Sequence, residues 1–256
     1  MASHSIAQAE STHPRAWVRV FLIALTLLLI LVPNGLWRLF QKRSPFARLF
    51  LFVSARIAGA DVTVRGTPVT DNVLYIANHV SWLDILVLSG RTGCAFVAKA
   101  DMVDWPVLGW MASLNNSVYV ARDKRLDVGA QRDAIQTALL TSQPIALFPE
   151  GTTANGRELL PFRSSLLATV APPPSGITVQ PVAIDYGTIA PDIAWTEDES
   201  VGTNALRIMA RRGRLPVTLH FLEPLDPDEF ADRKAMAAHS RDEIAAILFP
   251  AYSPPA

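Results

Sequence analysis

From Asp61 onward, short apolar runs rich in β-formers alternate with stretches of helical periodicity, and this alternation constrains the fold more than any other feature of the chain. The strand-like runs are 61–65, 73–78, 93–99, 117–122, 144–148, 177–186 and 216–222; the helical stretches are 82–89, 106–114, 127–141, 164–170, 203–211 and 228–248. Parallel neighbours need a connection long enough to hold a helix, whereas antiparallel hairpins need only a tight turn. The spacing therefore predicts an α/β fold: a mixed, largely parallel sheet flanked by helices on both faces. With 256 residues there is room for one substantial domain and an appendage. We divide the chain into a polar tail (1–14), N-terminal membrane-associated helices (15–60) and the α/β domain (61–256).

The appendage is apolar and basic. Residues 20–37 carry no charge over eighteen positions, about 27 Å as a helix, which suits a retained membrane anchor that crosses the bilayer or dips into one leaflet. Pro33-Asn34-Gly35 is expected to interrupt it. A second helix is expected to start at Ser44-Pro45, carry Phe46, Leu49, Phe50, Val53 and Ile57 on one face with Arg48 and Arg56 off it, and end at Gly59; as an amphipathic helix it would hold the domain against the membrane, with simple packing on the sheet as the alternative. Between Ser11 and Ala60 the charges are Arg15, Arg19, Arg38, Lys42, Arg43, Arg48 and Arg56, with no acid among them. That clustering suits an anionic lipid surface; a solvated basic face is the plainer reading. Half the residues are hydrophobic and mean hydropathy is +0.24, both pointing to membrane contact.

The stretch that carries chemistry is Asn78-His79-Val80-Ser81-Trp82-Leu83-Asp84. It follows the apolar run 73–77, so His79 leaves the C-terminal end of a buried strand, where open α/β sheets place their sites. Ser81 reads as the N-cap of the next helix, with Asp84 as a capping-box acid. Five positions apart on one helix would set two side chains about 140° apart, so a His79–Asp84 contact requires the strand-to-helix turn. In such a turn the carboxylate accepts from one ring nitrogen and leaves the other free as a base. A capping-only Asp84 and a structural His79 stand as the alternatives.

Three further blocks follow in order: Ser117-Val118-Tyr119-Val120-Ala121-Arg122, Phe148-Pro149-Glu150-Gly151-Thr152-Thr153 and Val179-Gln180-Pro181-Val182-Ala183-Ile184. Together with the His-x-x-x-x-Asp spacing of His79 and Asp84, these resemble the glycerolipid acyltransferases, the family of bacterial 1-acyl-glycerol-3-phosphate acyltransferase, over roughly residues 60–225. The resemblance implies a glycerol-3-phosphate acyltransferase-like fold and transfer of a fatty acyl group from acyl-CoA or acyl carrier protein to a lysolipid hydroxyl. His79 would take the hydroxyl proton, and Asp84 would fix its tautomer and stabilise the imidazolium. Glu150, Gly151 and Thr152 fall in the acceptor-binding motif, Glu150 ordering the loop or a substrate hydroxyl. Arg122 takes the place of the anion-binding arginine, Lys99 adds a second positive charge at the same edge, and Arg163 stands where the family often carries Lys, although the glycine expected two residues later is Ser165.

Two departures bear on the acceptor. The third block ends in Thr153 where the lysophosphatidate pattern has Arg, and Ala121 stands where Asp often precedes the arginine of the second. The run from Phe96 through Pro106, together with Phe148 to Thr153, also resembles the lyso-ornithine lipid acyltransferases. Lysophosphatidate leads as acceptor on the family pattern, with lyso-ornithine lipid close behind.

Other chemistries find little support. Net charge is zero, so no global field favours nucleic acid. Cys94 is the sole cysteine, in an apolar run, and reads as a buried inert thiol. His220 and His239 show no metal spacing and read as structural; no Walker loop, dinucleotide fingerprint or G-x-S-x-G elbow occurs, so no cofactor or metal is expected. The catalytic domain is expected on the cytoplasmic face of the inner membrane, where acyl-CoA and acyl carrier protein reside. A non-catalytic lipid-binding protein is the rival from another class, with a lysolipid hydrolase a weaker third.

Overall fold

The computed structural model describes residues 13–40, 44–99, 118–120, 143–168, 170–226, 230 and 232–251, with backbone alone at 98–99 and 118–120. Arg122 and the expected helices at 106–114 and 127–141 lie outside the described residues. The strands are β1 (Ala60–Arg65), β2 (Val73–Ala77), β3 (Ala95–Lys99), β4 (Val118–Val120), β5 (Ile145–Leu147), β6 (Thr178–Asp185) and β7 (Leu215–Phe221). They form one sheet in the order β1-β7-β6-β2-β5-β3-β4. From β6 to β4 every pairing is parallel; β7 runs antiparallel to β6, and β1 lies parallel to β7. Each expected strand is present to within two residues.

The described helices are α1 (Pro14–Phe40), α2 (Pro45–Ala58), α3 (Leu83–Thr92), α4 (Ser164–Leu167), α5 (Ala190–Ile193), α6 (Val201–Ala210) and α7 (Arg233–Leu248). All five residues of β2 are buried because helices cover both faces of the sheet. Successive side chains of a strand point to opposite faces. Val73, Tyr75 and Ala77 accordingly join a core built with α2, α3 and α6, while Leu74 and Ile76 join one built with α4 and α7.

One local expectation at the N-terminus is corrected. The α1 helix runs without a break from Pro14 to Phe40 with Pro33 inside it, so Pro33-Asn34-Gly35 does not interrupt it. The α2 helix begins and ends as expected, with Ser44 Oγ accepting from Phe46 N–H and Gly59 as a left-handed C-cap. It buries Phe50, Leu51, Ser54, Ala55 and Ala58 against the domain, while Leu49, on the expected apolar face, is exposed. The reason is α3: a Cβ on Gly90 would stand 2.8 Å from Phe52 Cα, so the two helix backbones touch where glycine leaves room.

The α1 helix lies along α2 rather than projecting from the domain. Ala16 is buried, and Val20, Ile23, Leu27 and Ile30 pack at helical spacing on the core, while Phe21, Leu28, Leu29 and Val32 face outward. At one end Arg15 donates to Ala210 O and Arg19 to Ala58 O and Met209 O, placing guanidinium groups on the C-terminal carbonyls of α2 and α6. At the other end Trp37 meets Phe46 edge to face, 6.0 Å between ring centres. The helix therefore flanks the domain from one sheet edge to the other.

Candidate active site

The C-terminal ends of three neighbouring parallel strands, β6, β2 and β5, bring the site together. His79 lies just beyond β2, Phe148 and Glu150 beyond β5, and Tyr186 beyond β6. Asn78 fastens the first two ends: its side-chain amide accepts from Ile184 N–H (2.8 Å) and donates to Ile184 O (3.1 Å), as a further rung of the ladder would.

His79 Nδ1 and Asp84 Oδ2 are 2.8 Å apart, across the strand-to-helix turn that the spacing required. Asp84 is fully buried and receives four donors. Its Oδ2 takes His79 Nδ1 and the backbone N–H of Val80 (2.7 Å) and Ser81 (2.8 Å); its Oδ1 takes the Tyr186 hydroxyl (2.6 Å). The capping role and the histidine contact are thus one arrangement, since the same oxygen serves both. Ser81 caps less than expected: the cap position is Trp82, with no side-chain bond, and Ser81 Oγ accepts weakly from Leu83 N–H at 3.4 Å. A buried carboxylate holding four donors is satisfied without a counter-ion and presents a fixed acceptor to the imidazole.

The backbone around His79 is tied down completely. His79 N–H donates to Glu150 Oε1 (2.7 Å), and His79 O, Val80 O and Ser81 O accept from Ala154, Trp195 and Asp84 N–H. Every backbone polar group from His79 to Ser81 is therefore partnered. The imidazole lies flat on Phe148, 4.1 Å between ring centres and 6° from parallel. With Nδ1 held and one face covered, Nε2 is the nitrogen left to meet a substrate; the side chain keeps 15% of its exposure.

Glu150 orders the loops. Its Oε2 accepts from Leu160 N–H (3.0 Å), so one carboxyl joins the His79 turn to the segment after Gly151. Burial pushes this carboxyl up to about 8, against the two N–H donors and the Arg241 charge, which lower it. Gly151 has φ of +78°, the left-handed region open to glycine, and turns the chain back so that Ala154 N–H reaches His79 O.

Other expected residues are placed as follows. Lys99 ends β3 at the same edge, backbone only. Thr152 is half-buried beside the turn. Thr153, at the position where the lysophosphatidate pattern carries Arg, donates its hydroxyl to Trp195 O. Arg163 is exposed; its backbone N–H donates to Pro149 O (2.8 Å), so this residue reaches the site region through its main chain. Cys94 is buried and its thiol pushed up to about 12 by burial, which suits an inert role. Among the described residues no His, Cys, Asp and Glu cluster fits a metal ion.

Tyr186 is the site residue that sequence reasoning passed over. It stood as the last residue of an expected strand, and only the β6–β2 pairing, which spacing does not encode, brings it to Asp84. A tyrosine at the C-terminal end of a strand, at the same edge as His79, was the available signal.

Comparisons with known proteins point to one family. A family model described as Acyltransferase matches residues 61–185. A lyso-ornithine lipid O-acyltransferase of Rhizobium meliloti (strain 1021) is 36% identical over 242 residues, covering 86% of this chain and 82% of that one. A 1-acyl-sn-glycerol-3-phosphate acyltransferase of Neisseria gonorrhoeae is 31% identical, covering 75% and 77%. The crystal structure of the 1-acyl-sn-glycerophosphate acyltransferase PlsC from Thermotoga maritima superposes with a TM-score of 0.60 at 22% identity, over 90% of this chain and 94% of that one. The chain belongs to the acyltransferase family. It is an acyltransferase whose long apolar N-terminal helix suits membrane association.

Proposed function

We propose that the protein transfers a fatty acyl group from an acyl thioester, acyl-CoA or acyl carrier protein, to the free hydroxyl of lyso-ornithine lipid. The observation that carries the reaction is the His79–Asp84 contact inside a fully bonded turn. His79 Nε2 takes the proton of the lysolipid hydroxyl while its oxygen attacks the thioester carbonyl carbon. The tetrahedral intermediate then expels the thiolate, breaking the C–S bond, and the imidazolium returns the proton to sulfur. Asp84 stabilises the imidazolium throughout. The chain supplies base and positioning, with no covalent enzyme intermediate and no cofactor.

For the acceptor, a hydroxyl at Thr153 bound to Trp195 O offers no positive charge to a phosphomonoester. Two relatives named for lyso-ornithine lipid match over 86% and 89% of the chain, against 75% for those named for 1-acyl-glycerol-3-phosphate. The relatives named for 1-acyl-glycerol-3-phosphate support lysophosphatidate as the second reading. Lys99 and Arg122 would supply the acceptor's anion contact in either case, with Arg163 at the rim.

The membrane contact has a definite form in this reading. Both ends of α1 touch the domain, so a perpendicular crossing would draw the domain's polar flank into hydrocarbon. The helix lies in one leaflet, apolar face to lipid, with the catalytic edge at the cytoplasmic surface of the inner membrane. Purified protein offered a labelled acyl thioester with lyso-ornithine lipid or lysophosphatidate tests the assignment. Preference for lyso-ornithine lipid, moved toward lysophosphatidate by Thr153→Arg, is expected. Exclusive use of lysophosphatidate by the unmodified protein would overturn it.

A further inference from the structure

At the sheet edge opposite His79 lies a cavity of about 570 Å³, lined by Trp37, Arg48, Thr70, Arg91, Thr92 and Gln143 among others. A second cavity of about 230 Å³ adjoins it and shares Pro45, Arg48 and Arg91, but is otherwise walled by the apolar Leu49 and Phe52 and by Gly90. We propose that this pair of cavities is a binding site for an anionic phospholipid of the membrane itself, its phosphate between Arg48 and Arg91 and an acyl chain over Leu49 and Phe52.

Three observations support this. First, the two guanidinium groups are held in place by the fold: Arg48 Nε donates to Gly90 O (3.5 Å) and its Nη2 to Arg91 O, while Arg91 Nη2 donates to Val62 O (2.8 Å) and its plane sits 5.1 Å above the Phe52 ring. Each arginine keeps Nη1 clear of these bonds, and a fixed guanidinium is suited to phosphate. Second, the described lining contains no acid. Asp71 is turned to the Thr70 hydroxyl (3.0 Å) and is not among the lining residues. The first turn of α2, at Pro45 and Ala47, also meets the cavity and adds the positive end of a helix.

Third, the surroundings are those of an amphiphile. Trp37, 39% exposed, belongs to the apolar outer face of α1, and Leu49, 46% exposed, continues that face onto α2. A free inorganic anion would have no use for the apolar slot. The site is distinct from the acceptor site: the Tyr75 ring lines it, and His79 lies four residues further along, roughly 13 Å of extended chain. A lipid seated there would hold the far end of the α1–α2 flank to the headgroup layer while the catalytic edge works at the other end.

The test uses the full-length protein with vesicles of phosphatidylcholine, alone or containing phosphatidylglycerol, read by co-sedimentation. Because Arg48 also bonds the carbonyls of Gly90 and Arg91, and Arg91 that of Val62, their Gln variants are paired with Ala47→Glu. That change sets a carboxylate in the cavity at the third position of α2, where with Ser44 as cap it favours the helix. Arg65→Gln, on the exposed strand β1, matches the charge loss of each arginine variant elsewhere. Phosphatidylglycerol should tighten binding of the unmodified protein. Arg48→Gln and Arg91→Gln should each weaken that gain about fivefold or more, the factor for one basic group near an anionic lipid surface, and Ala47→Glu should remove it. Arg65→Gln should weaken it far less, and binding to phosphatidylcholine alone should stay the same throughout. Equal losses in Arg65→Gln, an undiminished gain in Ala47→Glu, or thermal protection by inorganic phosphate equal to that by phosphatidylglycerol would each overturn the lipid site.

Discussion

The Tyr186 hydroxyl donates to Asp84 Oδ1 at 2.6 Å, on the oxygen that His79 does not use, so the carboxylate is gripped from both sides within a buried site. Burial and the neighbouring Asp84 charge raise the tyrosine's proton affinity well above the ordinary value, which keeps it a donor. Tyr186 touches Asp84 rather than substrate and is a positioning residue. A hydrogen bond to a charged group contributes about 1.5–3 kcal/mol. Tyr186→Phe is therefore expected to lower Tm and to reduce kcat roughly tenfold or more, with KM for the lysolipid little changed. An unchanged kcat would show that the second oxygen of Asp84 needs no partner.

Glu150 carries the pH dependence of the fold at this site. Its carboxyl is raised from 4.5 to about 8 by burial. A raised value means the folded state favours the protonated form. The stability this adds is whole below 4.5 and is lost as the pH rises through about 8. The difference in unfolding free energy between the unmodified protein and Glu150→Gln should accordingly change across that window. Parallel stability curves for the two proteins from pH 5 to 9 would contradict a buried, raised carboxyl.

Gly90 sets how closely α2 approaches α3. A methyl group there would meet Phe52 Cα at 2.8 Å, a backbone atom that cannot swing aside. Gly90→Ala should cost about 1–3 kcal/mol, the range for overpacking, and loosen the flank that carries α1. Thermal unfolding and hydrogen exchange in α2 measure both effects; unaltered values would mean that the helices part without strain.

What was legible in the sequence follows from the range of the interactions involved. The seven strands could be read because each is a compact apolar run, and the His79–Asp84 contact because both residues sit on one turn, five positions apart. The order of the sheet, and with it the meeting of Tyr186 with Asp84 and of Phe148 with His79, depends on pairings between distant segments. The buried face of α2 was not legible for a related reason. The apolar face expected from spacing includes Leu49, which the fold leaves outward, while Ser54 and Ala55 are buried because small residues let α3 approach. Asp84 invited a choice between capping and catalysis that the geometry makes unnecessary.

The account rests on His79 as the base that Asp84 steers, and the most direct measurement is lysolipid-dependent release of free thiol from an acyl thioester by His79→Ala protein in membranes. Loss of a positioned general base should lower kcat by about 10²–10⁴-fold, with the fold intact by thermal unfolding. Thiol release at the unmodified rate, with the acyl group still appearing on the lysolipid, would contradict it.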